Sequence, residues 1–375
     1  MAALLDTVDP EGLEEFSVVF TDRSLNHMSA AFGGVMRDLS AGLKEVYNAD
    51  GLALIPGGGT FAMEAVARQF AQDASAVVVR NGWFSYRWSQ ILETGGFCED
   101  VTVMKARREG NASQTPFAPA PIKDVVSKIH EVKPDIVFAP HVETSAGVML
   151  PDGYVTALAE AAHDVGALMV LDCIASGCVW VDMAATGVDV LISAPQKGWS
   201  SSPSAGIVML SDRAIARVKE TTSNSFSVDL GKWLSIMETY EAGKHAYHAT
   251  MPTDALAAFR DTVEETRAYG LERLKAAQLD LGQKVRALLA EAGAKSVAAD
   301  GFGAPGVVVS YTRDADIQNG SKFAAQGMQI AAGVPLQCDE PEDFQTFRVG
   351  LFGLDKLYDV DATVARLERV VRKVL

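Results

Sequence analysis

The sequence predicts an α/β protein in which a doubly wound, mostly parallel sheet is followed by a smaller C-terminal α/β domain. Two observations support this fold class. Short, wholly apolar runs alternate with helical stretches over much of the chain, and a long helical pattern ends the alternation after about residue 250. Strands that are apolar throughout are buried on both faces, as in a parallel sheet covered by helices. Open sheets of this kind bind ligands at the carboxyl ends of their strands.

The first predicted element is an amphipathic helix from Phe32 to Val46, where apolar residues recur at helical spacing. After it, runs rich in β-branched and apolar residues predict the strands Gly51–Ile55, Ala76–Val79, Asp135–Ala139, Ala167–Leu171, Val188–Ile192 and Gly206–Leu210. The helical stretches between these runs include Phe61–Gln72, Ser85–Thr94, Ile122–Glu131 and Tyr154–Val165. This alternation is typical of a doubly wound sheet.

The C-terminal part has a different pattern. One long helical stretch, Leu256–Glu291, precedes two strand-like pieces, Gly306–Tyr311 and Thr346–Gly350, and a closing amphipathic helix, Asp361–Leu375. We therefore expect three regions: an N-terminal segment over 1–25, a large domain over 26–250 and a small domain over 251–375.

Composition excludes several classes of function. The 375 residues are 48% hydrophobic and 22% charged, as in a globular protein, and the net charge of −15 disfavours nucleic-acid binding. No apolar stretch is long enough to span a bilayer, and the first residues lack the pattern of a secretory signal, so we expect a cytoplasmic protein without membrane contact. The four cysteines and six histidines form no zinc spacing, and we expect neither a metal site nor disulfides.

Two motifs with potential chemistry lie at predicted strand ends. Pro56–Thr60 (PGGGT) joins a strand to a helix, where glycines let backbone N–H groups approach an anion, although such turns are also common without any ligand. The segment Asn81–Arg87 (NGWFSYR) places aromatic residues at the next strand end, where they could stack on a flat heterocycle or simply pack in the core.

Two further strand ends carry a carboxylate and an amine. Asp172 closes an apolar strand, where a buried charge needs a partner, although it could also cap a turn. Lys197 follows the next strand, where burial can lower the pKa of an amine, although it could also extend to the surface. The combination fits pyridoxal 5′-phosphate (PLP), which needs a lysine, a carboxylate for its ring nitrogen, a stacking ring and a phosphate cup.

These motifs resemble those of class V aminotransferases of PLP fold type I, and most closely the alanine–glyoxylate and serine–pyruvate branch. The similarity runs from about Asn26 to the C-terminus and is most specific in Pro140–Gly147 (PHVETSAG), Leu171–Ser176 (LDCIAS) and Ser193–Lys197 (SAPQK). It implies an aminotransferase that moves the amino group of a small amino acid such as alanine or serine to a 2-oxo acid such as glyoxylate or pyruvate, with ping-pong kinetics.

The resemblance also implies roles for individual residues. Lys197 is expected to form the Schiff base with PLP and to transfer protons, Asp172 to pair with the pyridine nitrogen, and Phe84 to stack on the ring. The other expected cofactor contacts are Gly58, Gly59, Thr60 and Gln196 around the phosphate, and Thr144.

Three more residues extend the expected site. Tyr247 and Thr250 match positions that reach the phosphate of the partner subunit, which implies a homodimer with shared active sites. Arg348 matches the arginine that binds the substrate α-carboxylate, a contact suited to a guanidinium fork.

The N-terminal segment departs from the family pattern, because it lacks the Gly-Pro-rich stretch that lines the substrate pocket in relatives. We hypothesise that Arg23 or His27 enters the pocket in its place, the alternative being that both are surface residues.

Two other functions are compatible with the same fold. A lyase or cysteine desulfurase would need a mobile cysteine near the cofactor, and Cys338 is the candidate. A non-catalytic regulator is the second, although the DNA-binding forms of such proteins carry a basic domain that this chain lacks.

Overall fold

The structure is a computed structural model that describes residues 8–375; the first seven residues of the predicted N-terminal segment lie outside the described part. The strands are β1 (Gly51–Pro56), β2 (Ala74–Arg80), β3 (Cys98–Lys105), β4 (Arg107–Arg108), β5 (Phe117–Ala118), β6 (Ile136–Pro140), β7 (Val142–Glu143), β8 (Val148–Met149), β9 (Leu168–Asp172), β10 (Val190–Ser193), β11 (Ala205–Leu210), β12 (Val307–Tyr311), β13 (Ala331–Ala332) and β14 (Thr346–Gly350).

The helices alternate with these strands. They are α1 (Ala30–Tyr47), α2 (Gly59–Phe70), α3 (Trp83–Gly95), α4 (Ile122–Val132), α5 (Asp152–Asp164), α6 (Met183–Thr186), α7 (Asp212–Glu220), α8 (Leu230–Glu241), α9 (Thr253–Tyr269), α10 (Leu271–Glu291), α11 (Ala315–Gln318), α12 (Ser321–Ala324), α13 (Leu354–Leu357) and α14 (Val360–Val374). No helix among residues 8–375 combines the length and the apolar character that crossing a bilayer requires.

The central sheet has seven strands in the order β1-β11-β10-β9-β6-β2-β3. Every strand runs parallel to the others except β11, which is antiparallel to both of its neighbours, β1 and β10. All residues of β6, β9, β10 and β11 are buried, because helices cover the sheet. The prediction of a mostly parallel α/β sheet is confirmed. The wholly apolar runs are buried strands, as predicted.

The long helical pattern predicted over 256–291 is two helices in the structure, so the prediction of one continuous helix was wrong. The break lies at Gly270, whose φ of +106° is a conformation that glycine adopts at little cost and that ends α9. The sequence shows this glycine, but a single glycine inside a helical pattern is often tolerated.

The break at Gly270 coincides with a change of hydrophobic core. Helix α9 packs on α1, and its Phe259 and Val263 belong to the same core as the central sheet. Helix α10 packs on α14 and contributes Leu281 and Val285 to a second core. The three-stranded antiparallel sheet β12-β14-β13 supplies Val308 to that second core. The domain boundary predicted near residue 250 remains a prediction, and the core packing favours a boundary near Gly270.

Candidate active site

One cavity of about 410 Å³ lies at the carboxyl ends of the parallel strands. It also touches the three-stranded sheet β12-β14-β13, called the second sheet below. The parallel order of β9 and β10 brings the residues that end or follow them to the same edge, as open α/β sheets do. The predicted site residues that line the cavity are Gly59, Thr60, Phe84, Thr144, Asp172, Gln196, Lys197 and Arg348. Gly58 precedes Gly59 as the N-cap residue of α2. The structure therefore places most of the predicted residues around one space.

Asp172 is a buried carboxylate that has no cation within 4 Å in the described part of the chain. Only 5% of the residue is exposed, and Oδ1 accepts a hydrogen bond from the backbone N–H of Ile174 at 2.9 Å. The pKa of this carboxyl is raised to about 7, mainly by burial and also by the negative charge of Glu143, against the lowering effects of the Ile174 hydrogen bond and of the cations Arg87 and Lys197. A carboxylate in this setting would gain from a cationic N–H donor placed in the cavity.

Lys197 lies in the segment that joins β10 to β11 and is partly buried. Its Nζ is 5.0 Å from the centre of the Phe352 ring, close enough for a cation–π contact. Burial lowers the pKa of the Lys197 ammonium, and the positive charge of Arg348 lowers it further. Both effects favour the neutral amine, which is the nucleophilic and basic form.

The first turn of α2 faces the cavity through its glycines. A Cβ atom at Gly59 would lie 2.4 Å from Cδ1 of Ile174, so only glycine lets the helix start this close to the segment after Asp172. Thr60 follows on the same turn, and its Oγ1 accepts a hydrogen bond from Nη1 of Arg87 at 2.9 Å. A helix N-terminus beside a hydroxyl and a guanidinium favours an anion such as a phosphate.

Phe84 presents its ring to the cavity from the first turn of α3. The guanidinium carbons of Arg87 and Arg348 lie 5.2 and 5.5 Å from the centre of this ring. Arg348 is fixed by one hydrogen bond, from its Nε to the carbonyl of Ala332 at 2.8 Å. Its two Nη groups have no hydrogen-bond partner among residues 8–375, so they can bind a carboxylate.

Three residues with a role in this site were not predicted: Arg87 and Phe352, which line the cavity, and Glu143, which lies behind its lining. Arg87 could have been found, because it lies three positions after Phe84 and therefore on the same face of α3. Glu143 lies inside the motif that carries the family resemblance, but its role was not predicted. No signal in the sequence marks Phe352, whose place depends on how the second sheet packs on the first.

Tyr247 and Thr250 do not line the cavity. Their hydroxyl groups are 3.1 Å apart, and 52% of Tyr247 is exposed. This exposure leaves both side chains accessible to another molecule, and their role at the partner's site stays a prediction.

Neither residue of the hypothesis on the N-terminal segment lines the cavity. Arg23 is exposed, whereas His27 is buried with its ring 5.6 Å from that of Phe20 and 5.4 Å from that of Tyr247. Within one chain, the substrate pocket is thus formed without them.

Cys338 is buried, with 4% of the residue exposed, and its Sγ lies 3.3 Å from the carbonyl oxygen of Arg80. Burial raises the pKa of this thiol to about 12, so it is protonated at neutral pH. A desulfurase needs an accessible thiolate, whereas Cys338 is a buried thiol.

The residues around the cavity fit PLP. Among residues 8–375 no cation lies within 4 Å of the buried Asp172 carboxylate, and a protonated pyridine nitrogen would provide one; Phe84 offers a flat ring, and the start of α2 offers donors for a phosphate. The partly buried Lys197 offers an amine for the aldehyde.

Comparisons with known proteins agree with this fit. The family model described as Aminotransferase class-V matches residues 12–332. A protein of Synechococcus sp. named soluble hydrogenase, small subunit, is 28% identical and aligns with 92% of this chain and 87% of its own length. Alanine–glyoxylate aminotransferase of Felis catus is 28% identical over 66% of this chain, and the chain spans only 58% of that relative. The 2-aminoethylphosphonate–pyruvate transaminase 2 of Paraburkholderia xenovorans is 28% identical over 88% of this chain and 84% of its own length.

Solved structures share the fold. An aspartate aminotransferase of subgroup IV from Thermus thermophilus superposes with a TM-score of 0.76 at 24% identity, over 94% of both chains. An alanine–glyoxylate aminotransferase from Nostoc sp. superposes with a TM-score of 0.76 at 21% identity, over 92% of this chain and 89% of that one. The fold is therefore that of PLP-dependent fold type I enzymes, and the chain belongs to the class V aminotransferase family of PLP-dependent transaminases.

Proposed function

We propose that this aminotransferase takes the amino group from a small amino acid of the alanine or serine type and gives it to a 2-oxo acid such as glyoxylate or pyruvate. The observation that carries the proposal is that Lys197, Asp172 and Arg348 face one cavity. The names of the alanine–glyoxylate relatives support the substrate class.

The lining of the cavity supports a small side chain on the substrate. Beside Arg348, the second sheet contributes Val307, Ala331 and Gly350, and the segment after β14 contributes Phe352; none of these brings an acidic or amide group. Because the Phe352 ring is 5.0 Å from Nζ of Lys197, it occupies space next to the atom on which that amine would act. A bulky substrate side chain would meet this ring.

Each polar residue has one proposed task. Arg348 binds the α-carboxylate through its Nη groups, which no residue of 8–375 engages, and so fixes the substrate beside Lys197. The neutral amine of Lys197, favoured by burial, accepts the proton from the substrate α-carbon and later returns a proton. Asp172 holds a proton on the ring nitrogen of the cofactor by its negative charge. The bound cofactor supplies the electron sink that makes loss of the α-proton possible.

We further propose that the enzyme works as a homodimer in which Tyr247 and Thr250 reach the phosphate site of the partner subunit. Both hydroxyl groups are exposed, which supports this proposal. The exposed Phe226 ring lies against His248, the neighbour of Tyr247, so an exposed apolar side chain lies on the same part of the surface. The cytoplasmic location expected from the sequence remains a prediction.

Subunit mixing tests the shared site. A Lys197→Ala subunit and a Tyr247→Ala/Thr250→Ala subunit are each inactive if the sites are shared. Mixing them should restore activity, because one site of the hybrid then combines an intact Lys197 with an intact Tyr247 and Thr250. Two inactive variants that stay inactive in a verified hybrid, or a wild-type monomer in sedimentation, would contradict the proposal.

The substrate class is tested with the visible absorption spectrum of the purified protein. We expect a band from the bound cofactor that is converted to the amino form by alanine or serine and restored by glyoxylate or pyruvate. Aspartate and 2-aminoethylphosphonate serve as comparison donors, and a preference for either would overturn the small-amino-acid proposal. Release of pyruvate and ammonia from serine without a 2-oxo acid would favour a lyase.

A further inference from the structure

Helix α3, which carries Phe84, begins at an N-cap residue that cannot cap it, although the Ser85 hydroxyl accepts the N–H groups of Asn81 and Gly82 just before the helix. Its N-cap residue is Gly82, which has no side chain to accept hydrogen bonds from the first turn. Glu143 accepts them instead: Oε1 accepts the N–H of Phe84 at 3.1 Å, and Oε2 accepts the N–H of Ser85 at 2.8 Å. The helix is therefore capped by a carboxylate from another element, 58 residues further along the chain.

The same carboxylate also holds the loop that contains Thr144. Oε1 of Glu143 accepts the N–H of Ser145 at 3.1 Å and its hydroxyl at 2.7 Å, and Oε2 accepts the hydroxyl of Ser85 at 2.6 Å. Ser145 Oγ in turn accepts the N–H of Trp83 at 2.9 Å. One group thus joins the start of α3 to the loop after β7.

Glu143 is wholly buried and forms no ion pair with any described residue. Five hydrogen-bond donors and the positive end of α3 therefore compensate its charge. Gly82 leaves the space for this arrangement, because a Cβ atom there would lie 2.1 Å from Ser145 Oγ and 2.8 Å from Cδ of Glu143. The start of α3 and the loop after β7 therefore pack around the Glu143 carboxylate.

We propose that Glu143 is a positioning residue that holds Phe84 and Thr144 at a fixed separation across the cavity, so that the cofactor ring enters a preformed slot. This inference rests on the proposed function, in which Phe84 and Thr144 contact the cofactor. Both residues line the cavity. The N–H of Phe84 bonds Glu143 directly, and Thr144 lies between Glu143 and Ser145, which also bonds it. Glu143 itself does not line the cavity and acts only through them.

The charge of Glu143 has a second effect that geometry alone would not produce. It is one of the causes that raise the pKa of Asp172. Neutralising Glu143 should therefore shift the pH dependence of cofactor binding to lower pH, in addition to loosening the slot. A residue with a purely structural role far from the site would not change that pH dependence.

The test compares Glu143→Gln with a control, Asp189→Asn. Asp189 is also buried and accepts hydrogen bonds from a backbone N–H, an imidazole and a hydroxyl, but it does not line the cavity. In the cofactor-free protein, amide hydrogen exchange at Phe84 or at Ser85 should accelerate roughly tenfold or more in Glu143→Gln, because glutamine replaces one of the two acceptor oxygens by an NH2 group that cannot accept these bonds. The PLP dissociation constant, measured by fluorescence, should rise by a similar factor.

The control should lower the unfolding midpoint while leaving both quantities close to the wild-type values. Wild-type exchange and PLP affinity in Glu143→Gln, or equal losses in both variants, would overturn the proposal. A double-mutant cycle adds a second criterion: Glu143→Gln should weaken PLP binding less in a Phe84→Leu background than in wild type, and equal effects in both backgrounds would also overturn it.

The two proposals fail in distinguishable ways. If wild-type protein does not bind PLP, the proposed function fails, and the exchange measurement on the cofactor-free protein still decides whether Glu143 caps α3. If wild-type protein binds PLP and Glu143→Gln binds it equally well, only the positioning role fails.

Discussion

Replacing Asp172 by asparagine should stabilise the cofactor-free protein at neutral pH and weaken its hold on PLP. The wild-type carboxyl has a pKa raised by burial from about 3.8 to about 7. Between these values the folded state binds more protons than the unfolded state, so the free energy of unfolding falls as the pH rises through this window. At 1.36 kcal/mol per pH unit, the whole window corresponds to an upper limit of about 4 kcal/mol.

Asparagine removes this ionisation and keeps the shape of the side chain. Its Oδ1 can still accept the N–H of Ile174, now at 2.9 Å from the aspartate. The advantage of Asp172→Asn over wild type should therefore grow by about 2–3 kcal/mol between pH 5 and pH 8. Urea unfolding of both cofactor-free proteins at the two pH values, followed by tryptophan fluorescence, measures this difference.

The same substitution should have the opposite effect once PLP is present. An amide carries no negative charge and so forms no ion pair with a protonated ring nitrogen, and PLP affinity should therefore fall roughly 10- to 100-fold. Asp189→Asn serves as control and should destabilise the protein at both pH values, because Asp189 accepts several hydrogen bonds. An Asp172→Asn variant whose relative stability does not change with pH would refute the argument that this carboxylate is buried without a partner.

Three further predictions concern the cavity and one concerns the alternative chemistry. Lys197→Ala should abolish turnover, measured as 2-oxo acid formation; activity like that of wild type would refute its assignment. Arg348→Ala should raise KM for the amino acid by roughly tenfold or more, because a charge-assisted contact is lost; an unchanged KM in initial-rate kinetics would exclude the carboxylate contact. Phe352→Ala should raise kcat/KM for amino acids larger than serine relative to alanine, which a substrate panel checks. Cys338→Ser should retain transaminase activity, whereas its loss together with sulfide release from cysteine would favour a desulfurase.

The sequence predicted the part of the site that depends on strand ends. Asp172 and Lys197 follow consecutive apolar runs, and because β9 and β10 are neighbours in a parallel sheet, their ends had to meet. Arg348 was different. Its strand belongs to the second sheet, and without the family resemblance it would have been taken as an ordinary charge at a strand end.

The parts that could not be predicted depend on contacts between distant elements. Glu143 caps a helix that begins 60 positions earlier in the chain, and a cap from another element leaves no pattern around Gly82. Phe352 follows β14 of the second sheet, and its ring lies 5.0 Å from Nζ of Lys197, which follows a strand of the first sheet. The break at Gly270 was visible as a glycine, but its φ of +106° was not.

The reversed direction of β11 has a consequence for Lys197. In the parallel part of the sheet, the residues after a strand lead into a crossover connection that returns the chain to the amino ends of the strands. Here the chain leaves β10 at Ser193 and enters the neighbouring β11 at Ala205 on the same edge, where Ser193 pairs with Ile207. The segment carrying the amine is thus held at both ends by two neighbouring antiparallel strands, which limits the chain entropy that would be lost when the lysine is held in place for reaction.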